Sequence, residues 1–71
     1  MTTNMEYRII AFANNYIMDD EPRRIAVLDG LLEKAKNRDD VNWGHIDGNQ
    51  FFRLMMNFLR MMEREDPWLF R

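Results

Sequence analysis

Arg53, Asn57, Arg60 and Arg64 recur at spacings of four, three and four residues, the repeat that places side chains on one face of a helix. Three guanidiniums in a row can grip phosphates or carboxylates, with Asn57 between them offering a donor and an acceptor to a base edge or a backbone. Arg23 and Arg24 are candidates to extend such a surface. The competing reading is a solvated face whose arginines pair with acidic side chains from the other helices. Glu63, Glu65 and Asp66 dilute the positive charge, and the net charge is −2. A backbone-binding surface gains affinity by accumulating cations, so these residues favour a protein partner over nucleic acid. Arginine also outnumbers lysine by 8 to 2, which suits the planar, bidentate contacts of interfaces.

Little else in the chain can do bond chemistry. There is no serine and no cysteine, and the hydroxyls are Thr2, Thr3, Tyr7 and Tyr16. Disulfides and thiolate metal sites are excluded. His45 is the single histidine, in Trp43-Gly44-His45, with Asp39, Asp40 and Asp47 as the only carboxylates near enough in sequence to complete a metal site. The spacing does not match a calcium loop. The paired acids Asp19-Asp20, Asp39-Asp40 and Glu65-Asp66 all flank expected helix ends, where capping explains them. Gly30, Gly44 and Gly48 are isolated, so no phosphate-cradling loop exists. No catalysis, no cofactor and no metal are expected.

The elements that must position these residues are helices. Thr3 and Glu6 form a capping-box pattern, and Met5, Ile9, Ile10, Phe12, Ala13, Tyr16 and Ile17 share one face, predicting a first helix over about 4–18. Tyr7 and Met18 fall on its back. Asp19-Asp20-Glu21-Pro22 ends it and starts a second helix over about 21–37, with Ile25, Val27, Leu28, Leu31, Leu32 and Ala35 on its apolar face. Gly30 lies opposite that face and weakens the helix by about 1 kcal/mol unless something packs close to it. A loop follows. Asp47 with Gln50 offers a second capping box, and Ile46 with Phe51 a hydrophobic staple, so a third helix is expected over about 47–65, ended by Pro67. The apolar tail Trp68-Leu69-Phe70 is expected to dock on the helices.

Seventy-one residues make one all-α domain, 1–71, of three helices. The third is its anomaly. From Phe51 to Met62 its apolar side chains sweep about 220° of the helix circumference, where a surface helix needs about 100°. Met55, Met56, Met61 and Met62 suit either an irregular core or an adaptable surface. Two short helices are expected to leave part of this arc uncovered, which predicts a homodimer through Phe51, Met55, Phe58 and Met62.

The resulting expectation is a protein–protein interaction module. It would be a small regulator, adaptor or inhibitor of bacterial or phage type, binding its partner through Trp43, His45, Arg53, Asn57, Arg60, Arg64 and Trp68. The alternative is a nucleic-acid-binding transcriptional regulator using the Arg53/Arg60/Arg64 face. A helix-turn-helix fits poorly, because the connection before the third helix is long and the would-be recognition helix is the most apolar element. No apolar run approaches the roughly 20 residues of a membrane span, and no secretory signal opens the chain, so a cytoplasmic protein is expected.

Overall fold

The computed structural model describes residues 3–70. It contains three helices, α1 (Asn4–Tyr16), α2 (Glu21–Lys36) and α3 (Gly48–Glu65), followed by a single 3-10 turn at Pro67–Phe70. Local capping chemistry sets each start. The Thr3 hydroxyl accepts from the Glu6 backbone N–H at 3.3 Å, and the Glu6 carboxylate accepts from the Thr3 N–H at 3.2 Å, closing the expected box. Asp20 accepts from the Arg23 N–H at 3.1 Å at the head of α2, with Pro22 in the first turn where no donor is required. Asp47 accepts from the Gln50 N–H at 2.8 Å, so the α3 box forms in one direction. Ile46, the residue before that cap, packs on the core cluster that contains Phe51.

α1 stops two residues earlier than its apolar pattern suggests. Ile17 turns extended at φ −124° and ψ 99°, still donating to the Ala13 carbonyl, and drops its side chain into the core. The chain must be extended there to deliver Asp20 in the non-helical geometry of an N-cap. Met18 is left exposed.

α2 is the central element. It packs on both α1 and α3, whereas no Cα of α1 comes within 8 Å of one in α3 among the described residues. The α1–α3 gap is filled by aromatic rings. Phe12 meets Phe51 and Phe52 edge-on, with centroids 6.3 and 6.2 Å apart, and Tyr16 stacks on Phe12 at 5.5 Å. Because α2 has neighbours on two sides, its buried surface is rotated from the expected stripe. Ile25 is half exposed, while Ala26 and Gly30 are turned partly inward. Gly30 is where α3 comes close: a Cβ at this position would collide with Cε and Sδ of Met62.

The terminal segment docks, but not as a uniform apolar plug. Leu69 is buried and Phe70 half-buried, whereas Trp68 is 62% exposed. Arg23 holds the segment in place, donating from Nε to the Leu69 carbonyl and lying 5.8 Å from the centre of the Phe70 ring. Lys34 and Glu65 pair at 2.7 Å between α2 and the last turn of α3.

These contacts place the four residues expected at a subunit interface inside the chain's own core instead. Phe51, Met55, Phe58 and Met62 are 8, 0, 2 and 3% exposed within the single chain. The physical reason is that α3 is covered from four directions: by α2, by the rings of α1, by the loop before it and by the terminal turn. On an ideal helix the buried residues of α3 (Leu54 to Leu59 in angular order) span about 140°, leaving Phe52 and Met61 half exposed at the two margins.

Two outcomes follow from this packing. Gly30→Ala gains about 1 kcal/mol of helix propensity, but in the natural chain displacement of Met62 offsets it. In a Met62→Ala background the same change should stabilise by about 1 kcal/mol, and denaturant unfolding of the four-variant cycle reads the difference. Equal effects in both backgrounds would show that Met62 does not occupy this space. The second concerns pH. Backbone and side-chain hydrogen bonds from Thr3 hold the Glu6 carboxyl below its usual range. Its contribution is therefore present above the ordinary glutamate pKa and lost as pH falls through the lowered value. Wild type should lose stability relative to Glu6→Gln between pH 6 and pH 3, measured by urea midpoints.

Candidate functional site

Burying one side of α3 leaves the opposite side to Arg53, Asn57, Arg60 and Arg64, all exposed. On an ideal helix they lie within about 60° of one another and extend about 16 Å along the axis. The pairing of these arginines with acids from α1 or α2, which the competing reading requires, is not found among the described residues. Among the described residues the ion pairs are Lys34–Glu65 and Arg38–Asp40, and neither includes a cation of this stripe. Glu65 of α3 is taken by Lys34. Met61, 49% exposed, borders the stripe on one side; on the other, half-buried Met56 and exposed Glu63 lie between it and Phe52, 52% exposed against Phe12. The four methionines of α3 thus divide: Met55 and Met62 fill core, Met56 is half-buried and Met61 faces out.

At its N-terminal end the stripe runs into a cleft of about 460 Å³ between α3 and the preceding loop. His45, Arg53 and Asn57 line it together with Val41, Ile46 and Leu54. Its one carboxylate, Asp40, is gripped by Arg38 through Nε at 2.8 Å and Nη2 at 3.1 Å. That contact holds the Asp40 carboxyl below its usual range and the Arg38 guanidinium above its own, so both stay ionised and cancel. Arg53 is the uncompensated charge.

The cleft's loop wall is shaped by a turn and by a residue that the sequence reading did not single out. Backbone N–H groups of His45 and Ile46 both donate to the Asn42 carbonyl at 3.0 Å, which points His45 and Trp43 in different directions. His45 is exposed on the cleft side, whereas Trp43 is half-buried with its ring 6.4 Å from Phe51. From behind, Arg8 of α1 donates through Nη1 to the carbonyls of Trp43 at 3.3 Å and Ile46 at 3.0 Å, and its guanidinium lies 4.5 Å from the Phe51 ring centre. The available signal was slight: Arg8 sits one turn before Phe12 at the margin of the apolar face, where a long cationic side chain can lie along the core and reach a carbonyl.

The structure therefore brings together His45, Arg53 and Asn57, and continues from them to Arg60 and Arg64. Trp43 belongs to the packing under the loop, and Trp68 stands on the terminal turn outside the cleft. Arg23 is occupied by the tail and is not free to extend the stripe. Among the described residues no three acidic or histidine side chains are grouped to hold a metal ion, and no helix is long and apolar enough to cross a membrane.

Removing the Arg8 side chain leaves two carbonyls and one ring face without their cation. Arg8→Ala should lower stability by about 2 kcal/mol and broaden or shift the amide resonances of residues 42–46. Arg8→Lys, which keeps the charge and donors but loses the planar group over the Phe51 ring, should recover only part of the loss. An Arg8→Ala protein with native stability and an unchanged loop spectrum would remove this residue from the account.

No model of a protein family, no curated protein and no solved structure matches this chain.

Proposed function

We propose that this chain is a non-enzymatic binding module, a small regulator, adaptor or inhibitor that docks an acidic surface of a protein partner on the outer face of α3. The observation that carries the reading is the set Arg53, Arg60 and Arg64, exposed and without an ion-pair partner among the described residues, bordered by half-exposed Met61, with half-exposed Phe52 further round α3. Arginine, aromatic and methionine side chains are the types enriched where proteins meet. A second copy of the chain fits this face poorly, because a two-fold contact would bring both arginine stripes together. The complement is a surface rich in Asp and Glu with apolar residues between them.

The same unpaired arginines, with Asn57 among them, support a second reading in which the face lies along a nucleic-acid backbone. The acidic overall charge and the apolar margins weigh against it.

The test is retention of partners from nuclease-treated lysate by the wild-type protein and by Arg60→Glu/Arg64→Glu, whose exposed side chains can be reversed without disturbing the core. Reversal should weaken binding of a retained acidic protein on the order of 100-fold in a purified assay. Equal binding by both proteins would sink the docking face. Retention that disappears with nuclease, or affinity for a labelled oligonucleotide that falls steeply with salt, would transfer the face to the nucleic-acid reading.

A further inference from the structure

Among the described residues, the outer face of α1 is the helix face that carries no charge. Asn4, Tyr7, Ala11, Asn14 and Asn15 are exposed and fall within about 100° of one another on an ideal helix, opposite buried Ile9 and Ala13. Met18, 76% exposed, follows just past the helix end. The charged residues of α1 are both engaged elsewhere: Glu6 closes the N-terminal cap, and Arg8 reaches the loop carbonyls. The other helices expose charge, with Asp29, Glu33 and Lys36 on α2 and Arg53, Arg60 and Arg64 on α3. An outward helix face is ordinarily charged. Loss of charge together with exposed tyrosine and methionine is instead the composition of an interface core.

We infer that two copies of the chain pair through this face, α1 against α1, antiparallel about a two-fold axis at Ala11. The chemistry of the face selects a second copy as the occupant. Close to a two-fold axis a charge meets its own sign, whereas an amide or a phenol holds both a donor and an acceptor and can bond its own kind. Asn4, Tyr7, Asn14 and Asn15 are all of this self-complementary type. A strongly acidic or basic partner finds no complementary charge here. Spacing sets the register: with Ala11 on the axis, Tyr7 lies opposite the partner's Asn15, each four residues away from it. The small Ala11 side chain lets the two backbones approach to the short end of the roughly 8–10 Å range of packed helices. Antiparallel pairing also brings Asp19, beyond the end of one α1, toward the N-terminus of the other, the positive end of its dipole.

Asn4 to Asn15 extends about 17 Å, so a strip about 10 Å wide buries a few hundred Å² per copy, short of the roughly 800 Å² of a standard interface. The pairing is therefore weak, with Kd on the order of 0.1–1 mM. It uses no residue of α3 and so goes beyond the docking reading: each dimer carries the arginine face twice.

Sedimentation equilibrium and amide resonances of the full chain, followed on dilution from about 2 mM to about 0.02 mM, bracket that Kd. Wild type should pass from dimer to monomer, with concentration-dependent shifts centred on Tyr7, Ala11 and Asn15. Ala11→Arg and Ala11→Glu each put a good helix former at an exposed site, so both should keep the native circular dichroism, and each sets like charges across the axis. Either variant alone should weaken pairing by about tenfold or more, and an equimolar mixture of the two should regain it. A wild type that stays monomeric throughout overturns the proposal. So do shifts centred on Phe52, Arg60 or Met61, pairing unaffected by either variant, or a mixture no tighter than its components.

Discussion

The position of α2 between α1 and α3 is the constraint on which the rest of the structure depends, and Met62 of α3 packs into the space beside Gly30 of α2. A glycine inside a helix is costly, about 1 kcal/mol relative to alanine, and here the missing Cβ is the space that Met62 fills. α1 covers one side of α2, α3 the other, and the separation left between α1 and α3 is wide enough to need Phe12, Phe51 and Phe52 to bridge it. The aromatic residues are therefore a consequence of α2 lying in the middle. The described residues close a core this way, and with no cysteine in the chain no disulfide contributes to it.

Helices alone would not have covered α3. The loop before it and the turn after it do so, and neither makes the continuous backbone ladder that holds a helix. Both are tied down by the same device: an arginine on an earlier helix donates to carbonyls of the segment and lays its guanidinium over a phenylalanine. Arg8 does this for the Trp43–Ile46 loop with Phe51, and Arg23 for the terminal turn with Phe70. Carbonyls not paired within a ladder are satisfied, and the cation is spared full desolvation by remaining half-buried.

How much of this was legible depends on the range of each interaction. Helix starts could be read because a cap is a contact across three residues: Thr3 with Glu6, Asp20 with Arg23, Asp47 with Gln50. The α1 end was misplaced by two residues because apolar periodicity continues through Ile17, which is buried without being helical. The breadth of the α3 apolar arc was readable, and so were the Ile46 staple and a docked tail, but not how much of the arc these cover together with Trp43. The area left over sends Phe51, Met55, Phe58 and Met62 to a subunit interface, whereas the chain's own core buries them. Arg8 and Arg23 illustrate the same limit. Beyond the place of Arg8 at the margin of the apolar face of α1, nothing within several residues of either distinguishes it from Arg53, because the carbonyls they meet lie more than thirty residues away.

That comparison sharpens the meaning of the stripe. Arginines in this protein fall into groups by what they touch. Arg8 and Arg23 are spent on backbone carbonyls, and Arg38 on Asp40. Arg53, Arg60 and Arg64 have no such partner among the described residues, although acidic side chains are numerous enough to supply one. Glu65 pairs across to Lys34 on α2. An exposed arginine costs little to leave solvated, so stability does not require these three to be paired. Their alignment on one face, at the margin of a cleft whose remaining charges cancel, is instead a distribution that a complementary acidic surface can use. The outer face of α3 is set by packing on its inner one: once α2, the loop and the terminal turn fix which side is buried, Arg53, Arg60 and Arg64 can only point outward together.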